Sequence, residues 1–275
     1  LNDSPQQFAG KDGSIWQPSN YDRKFRGLVP LRRALASSIN VPTVKLLNQV
    51  GILTVISLAR KFGLSGKFRE DLTLALGTSE VGLLEMTSAF TAFANGGIRA
   101  EPYAISLVKD SQGNILEQHR PRLHPVLSPQ VAYMMTSMLE DTIESGTARV
   151  VRRLKFTRPA AGKTGSTDDH TDAWFVGFTP SLACGVWIGY DDRRTMGRKM
   201  TGALIAAPVW TSFMSEALEG STQEEFARPS GLTTAVIDPT TGLLATKECK
   251  RTSVETYPEG GAPTRPCSHE AAHVT

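Results

Sequence analysis

The sequence predicts an α+β fold, a mainly antiparallel sheet covered by helices on both faces, and three observations carry that expectation. Between residues 31 and 95 apolar side chains recur at helical spacing, with the runs broken by glycine or polar turns. Two apolar strand-like runs, Asp172–Phe178 and residues 182–189, follow one another across a Thr179-Pro180 turn. A further helix then opens at Pro208. Neighbouring strands flanked by helices on both sides in sequence place those helices over an antiparallel sheet.

The elements follow in order. Residues 1–30 are rich in Asp, Pro, Gly, Ser and Asn; Gly10-Lys11-Asp12-Gly13 and Pro18-Ser19-Asn20-Tyr21 read as turns, so this segment is expected to be a surface loop. Leu31, Ala34 and Leu35 begin a helix that halts at Ser37-Ser38-Ile39-Asn40; Pro42 then opens a second, carrying Val44, Leu47 and Val50 to a stop at Gly51. Two readings of that tight connection compete. Ser37, Ser38 or Asn40 caps the second helix, which local pattern favours, or Ser38 and Asn40 both point into a cleft. Residues 53–62 form a third helix closed by Gly63, 72–77 a short apolar run, and 83–95 another helix ended by Gly96-Gly97. Residues 102–108 and 115–117 read as a hairpin around Asp110-Ser111-Gln112-Gly113-Asn114. Ser128-Pro129 starts a helix through Val131, Met134, Met135, Met138, Leu139 and Ile143 to Gly146, with its methionines filling core. In 172–178 Trp174, Val176 and Phe178 occupy one face and Ala173, Phe175 and Gly177 the other; since both are apolar, both are expected to be covered. The helix from Pro208 carries Val209, Trp210, Phe213, Met214 and Leu218. Beyond 228 the composition turns to Thr, Gly and Pro with one strand-like piece at 234–237, which divides the chain into a domain of residues 1–227 and a tail or small module of 228–275.

Composition excludes several functions. The 275 residues carry a net charge of +3 with scattered basic side chains, so no nucleic-acid interface is expected. Two basic clusters, Arg149, Arg152, Arg153 and Lys155, and Arg193, Arg194, Arg198 and Lys199, read as solvated faces. No apolar run reaches membrane-spanning length, and the first residues show no signal pattern. Cys184 reads as a small core residue; Cys249 and Cys267, in a stretch with little core, are as readily a disulfide as free thiols, and no zinc spacing accompanies them even counting His269 and His273.

The stretch with most chemical content is Lys163-Thr164-Gly165-Ser166-Thr167. Its glycine brings backbone close to a neighbour, its hydroxyls and the lysine charge suit a carboxylate or oxyanion, and the alternative is a polar strand end with a solvated lysine. Ser38-Ile39-Asn40 and Lys163-Thr164-Gly165 occur in an order found among penicillin-binding proteins and β-lactamases. Together with residues 32–44, Leu74-Ala75-Leu76-Gly77-Thr78-Ser79-Glu80-Val81, Phe93-Ala94-Asn95-Gly96-Gly97, Asp172 to Pro180 and Ala206-Ala207-Pro208-Val209-Trp210, they make residues 1–227 resemble the transpeptidase domain of class A (bifunctional) penicillin-binding proteins, and the tail more loosely.

The resemblance implies a penicillin-binding-protein and serine β-lactamase-like fold. It implies acyl transfer on peptidoglycan stem peptides: a serine attacks a D-Ala-D-Ala donor, an amine acceptor resolves the acyl-enzyme, and β-lactams mimic the donor. Ser38 would relay protons to the leaving amine, and Asn40 would hold the substrate amide and the lysine beside the nucleophile. Lys163 would supply positive field, and Thr164, Gly165, Ser166 and Thr167 would bind the substrate carboxylate, with the Ser166 N–H as half of the oxyanion hole. No metal or cofactor is implied. The implied location is the extracytoplasmic face of the bacterial inner membrane, anchored through the parent protein. The family's Ser-x-x-Lys, nucleophile and base, is expected upstream of residue 1. The match Ser106-Leu107-Val108-Lys109 lies in a strand-like run, where the two side chains would point to opposite faces. On this reading the chain alone is inert. The alternatives are a β-lactamase or carboxypeptidase of the same superfamily, and a non-catalytic recognition module.

Overall fold

The computed structural model describes residues 1–10 and 13–268, so Lys11, Asp12, His269 and His273 lie outside the described residues. The first thirty residues do not form one loop. They contain four two-residue strands, β1 (Asn2–Asp3), β2 (Phe8–Ala9), β3 (Ile15–Trp16) and β4 (Gly27–Leu28), in which β1 pairs with β4 and β2 with β3. Two-residue strands cannot stand by themselves. A buried carboxylate organises them: Asp3, wholly buried, accepts from Asn20 Nδ2 at 2.8 Å and from the Arg26 backbone N–H at 3.0 Å. Both oxygens are satisfied, which is what permits a carboxylate in the interior.

Helices α1 (Leu31–Ala36), α2 (Asn40–Val50) and α3 (Ile52–Lys61) follow the predicted runs. α2 buries Val41, Pro42, Val44 and Leu47, whereas α3 buries none of its residues. α2 and α3 meet at 92°, and no single helix among the described residues is long and apolar enough to cross a membrane. A 3₁₀ turn at Leu72–Leu76, capped by Asp71, precedes α4 (Leu83–Ala94). Peripheral strands β5 (Ile98–Ala100), β6 (Leu107–Lys109), β7 (Ile115–Gln118) and β8 (Leu123–Pro125) pair as β5 with β8 and β6 with β7, the predicted hairpin. α5 (Pro129–Glu144) starts at Ser128, whose hydroxyl accepts from Val131 N at 3.3 Å. Its fully buried stripe is Ala132, Thr136, Leu139, Thr142 and Ile143; the methionines are only half-buried beside it, and Val131 is exposed. α6 (Val150–Arg153) follows.

The central sheet contains β9 (Ala161–Ser166), β10 (Asp172–Phe178) and β11 (Ala183–Gly189) in the order β11-β10-β9, antiparallel throughout. Register places Lys163 opposite Val176 and Gly165 opposite Trp174. One face of β10 presents Phe175 to a core that includes Ile143, Val151, Phe156, Trp210 and Met214; on the other, Phe178 packs with Phe90, Leu139 and Ala161. Helices therefore cover both faces, as both apolar faces of β10 require. A π turn at Gly202–Ala206 leads into α7 (Ala207–Ala217), whose Trp210 and Met214 are fully buried while Val209 and Phe213 face outward. Cys184 is half-buried against this core.

Residues past 228 form a small unit around β12 (Leu232–Ile237) and β13 (Ser253–Pro258), an antiparallel pair. Cys249 and Cys267 are joined as a disulfide. A two-stranded pair has too little core to be stable unaided, and the cross-link ties the β12–β13 connection to the segment after β13. The cluster of Arg193, Arg194, Arg198 and Lys199 is exposed, the solvated face expected, whereas Arg152 of the other cluster is drawn into the fold. Arg152 donates to Glu144 and to the carbonyls of Phe156 and Arg158, pinning the chain after α6, and Arg193 pairs with Glu80.

Candidate active site

The Ser37–Asn40 connection leaves no room for a local cap. Ile39 occupies the N-cap position of α2, and no side chain caps the helix there. The chain reaches it through Ser38 with φ of +51°, a left-handed conformation that a serine adopts only when its surroundings impose it. Backbone bonds from Ser38 N to Leu35 O (3.1 Å) and from Ile39 N to Ala34 O (2.9 Å) tie the turn to the end of α1. The α2 terminus is satisfied instead from a distance: buried Asn20 accepts from Val41 N at 3.1 Å through Oδ1 and is itself held by Asp3. The cap expected from Ser37, Ser38 or Asn40 is thus replaced by a side chain twenty residues upstream, which frees Ser38 to point outward.

Across from it stands β9. Its Lys163 Nζ donates to Ser38 Oγ at 2.9 Å and to Thr164 O at 2.8 Å. Burial pushes the Lys163 ammonium down to about 8, and no carboxylate among the described residues pairs with it. Asn40, on the first turn of α2, donates through Nδ2 to Ser19 O at 3.0 Å. Thr164 Oγ1 lies 2.7 Å from Thr147 Oγ1. Ser166 is exposed, with its Oγ accepting from Gly202 N at 2.9 Å. Thr167 Oγ1 accepts from Thr171 N (2.9 Å) and Asp172 N (3.0 Å), closing the β9–β10 turn. The structure thus brings Ser38 and Lys163 into contact across 125 residues and sets Thr164, Gly165 and Ser166 in sequence along the same strand.

A hydroxyl touching a desolvated, weakly acidic ammonium can pass a proton while the residual positive charge attracts an anion. Exposed hydroxyls and strand backbone beside it suit a carboxylate. Ser106 and Lys109, by contrast, are exposed on the peripheral β6–β7 hairpin, which pairs with no strand of the central sheet.

Comparison with known proteins assigns the chain to a family. Residues 1–214 match the family model of the penicillin binding protein transpeptidase domain. The chain belongs to the penicillin-binding protein transpeptidase family. Residues 228–271 also match the C-terminal domain of penicillin-binding protein 1A. Among relatives, penicillin-binding protein 1A of Aquifex aeolicus is 40% identical over 238 residues, 86% of this chain and 32% of the relative; that of Neisseria lactamica is 37% identical over 240 residues, 84% and 30% respectively. The chain therefore spans about a third of the length of these relatives. The crystal structure of penicillin-binding protein 1A from Haemophilus influenzae superimposes with a TM-score of 0.88 at 27% identity, covering 98% of this chain and 45% of that one. The penicillin V complex of PonA1 from Mycobacterium tuberculosis shares the fold, with a TM-score of 0.70 at 23% identity over 82% of this chain and 65% of that one.

Several supports of the transpeptidase cleft escaped sequence reasoning. Asp3 and Asn20 lie in a segment that reads as loop, and Thr147 follows a helix stop; a polar residue in such places has no periodicity to mark it. Gly202 carried the one available signal, a glycine next to a helix start. A Cβ there would collide with Trp174 O and Gly165 O, so only glycine lets the π turn lie against β9.

Proposed function

We propose that this chain supplies the Ser38, Asn40 and Lys163 side of the acyl-transfer cleft of a class A peptidoglycan DD-transpeptidase, which cross-links stem peptides through a serine acyl-enzyme and is acylated by β-lactams. The observation that carries the reading is the 2.9 Å contact of Lys163 Nζ with Ser38 Oγ. In this role Ser38 relays the proton to the departing D-Ala amine, and Lys163 keeps the relay polarised. Thr164, Ser166 and the backbone of Gly165 receive the donor's terminal carboxylate; Thr167 shapes the turn beside them. Asn40, whose amide rests on Ser19 O here, turns to the substrate amide when a donor enters. The Ser166 N–H serves as half of the oxyanion hole.

The acylated serine and its base are taken to lie upstream, because Ser106-Leu107-Val108-Lys109 is exposed on a hairpin that pairs with no strand of the central sheet. The chain alone is then inert. Its partners are D-Ala-D-Ala donors, amine acceptors and β-lactams, met at the extracytoplasmic face of the inner membrane, where the parent protein is anchored; no metal or cofactor takes part. Intact-mass spectrometry after incubation with excess penicillin tests this, on the chain as given and on a version extended upstream by about forty residues, room for one more helix and its loop. Acylation of the extended form alone is the expected result. Acylation of the short chain, at Ser106 or elsewhere, sinks the account, and acylation of neither favours a non-catalytic module.

A further inference from the structure

Arg32 lies in α1, six residues before Ser38, and three parts of the molecule meet at its guanidinium. Nε donates to Glu255 Oε2 of β13 at 2.8 Å; Nη1 donates to Ser137 O at 2.7 Å and lies 3.4 Å from Asp141 Oδ2; Nη2 donates to Ser137 Oγ at 3.2 Å. The side chains of Arg32 and Glu255 are only 11% and 12% exposed, so this is no solvated surface pair; without Glu255, Arg32 keeps only Asp141 and the Ser137 oxygens, all on α5, and loses its tie to β13.

What Arg32 fixes is the helix that carries the Ser38 turn. α1 has six residues, far below the length at which a helix stands by itself in water. Its C-terminal end holds Ser38 and Ile39 by the bonds to Leu35 O and Ala34 O, and Ala36 O accepts from Thr147 N at 3.0 Å. Thr147 in turn meets Thr164 of β9. A shift of α1 therefore moves Ser38 relative to Lys163. The anchor that stops such a shift is shared with the unit beyond residue 228, which contributes Glu255.

We propose that Arg32 and Glu255 are positioning residues through which the C-terminal module clamps α1 and keeps Ser38 in register with Lys163. The module thereby takes part in setting the acyl-transfer geometry while lying outside the cleft. This rests on the acyl-transfer reading of that cleft.

The test uses the full-length protein and a time course of penicillin acylation, which separates the limiting rate from the half-saturating concentration, with hydrogen exchange of residues 34–40 as a second readout. Glu255→Ala is expected to lower the limiting rate on the order of tenfold, short of the hundredfold that an ångström of misplacement can cost, and to leave the half-saturating concentration within about twofold. Exchange at residues 34–40 should quicken, and Glu255→Gln, which keeps the shape and one acceptor, should fall between. Gln130→Ala removes another bond to the module, from Nε2 to Ser230 O at 3.1 Å, without touching α1, and should leave both readouts unchanged. Unchanged rate and exchange in Glu255→Ala, or an equal loss in Gln130→Ala, would overturn the proposal. If the wild-type protein is not acylated at all, the reading of the cleft fails, and exchange at residues 34–40 still decides the clamp.

Discussion

The two walls of the cleft are built by different physics. The β9 wall is regular: its residues pair in unbroken register with β10, and the sheet behind it rests on fully buried Phe175, Trp210 and Met214. The Ser38 wall is irregular, a left-handed serine at the end of a six-residue helix, whose following helix takes its cap from Asn20 and whose own anchor includes Arg32. A strand wall is held by many equivalent bonds, none decisive. The turn wall depends on a few singular ones, so single substitutions should move it locally while the strand wall yields only when the whole core does.

The largest effect is expected at the base of the strand wall. Trp210→Ala removes a wholly buried indole packed edge-on against Phe156 and Phe175, and should cost about 3–5 kcal/mol. Urea denaturation should show the loss as one cooperative shift; a loss confined to the α7 region would contradict the picture of a single core behind β9. On the turn wall, Asp3→Ala leaves Arg26 N without its acceptor and Asn20 Nδ2 with Lys24 O alone, and should cost about 1–3 kcal/mol. Here hydrogen exchange should rise at the start of α2, around Val41, while β9 and β10 stay protected; uniform exchange across both walls would erase the distinction.

A third experiment sharpens the comparison through charge. With Lys163 held near 8 in the fold against an ordinary 10.5, the unfolded chain binds more protons between those values, so stability should rise with pH across that window. Lys163→Met should flatten that rise in denaturation midpoints taken at several pH values. In the extended protein, penicillin acylation should decline as pH climbs through about 8 and the ammonium loses its charge, and Lys163→Arg should move that decline to higher pH. A pH-independent rate up to 10 would remove Lys163 from the mechanism.

The smallest effect concerns α5, which braces both walls: Thr142 hydrogen-bonds Gly162 O of β9, and Ser137 holds Arg32 of α1. Burial, helped by Glu144 and Asp141, pushes Glu140 on this helix up to about 7. The folded state then holds a proton that the unfolded chain releases, so stability is lost as pH rises from 4.5 through 7. Glu140→Gln should raise the melting temperature slightly at pH 8 and leave it unchanged at pH 4. An equal gain at both would place the effect in packing instead of charge.

Much of this was legible in the chain. The apolar alternation of 172–178, the glycine stop at Gly51 and the serine cap at Ser128 are local signals, and the corresponding strand and helices fall where those signals put them. Ser38 and Lys163 were legible as chemistry only through the family resemblance; their immediate neighbours favoured a helix cap at Ser38 and left a solvated lysine open at Lys163. The illegible parts share one cause. Asp3, Asn20 and the Arg32–Glu255 pair act over separations of 17 to 223 residues, and nothing in their immediate neighbours records the partner. The cap of α2 went to Asn20 for the same reason: local propensity favoured Ser37, Ser38 or Asn40, and a remote, buried amide supplied a better acceptor.

The sequence by itself determined most of the helices and the central strands between residues 31 and 217, since these follow from periodicity and residue type within a few turns of chain, but not the short strands of residues 1–30. Only the tertiary structure decided that Ser38 meets Lys163 at 2.9 Å and that β13 reaches back to α1. Contacts of that kind are fixed by how the helices and the sheet pack, and packing depends on side chains hundreds of residues apart being buried together.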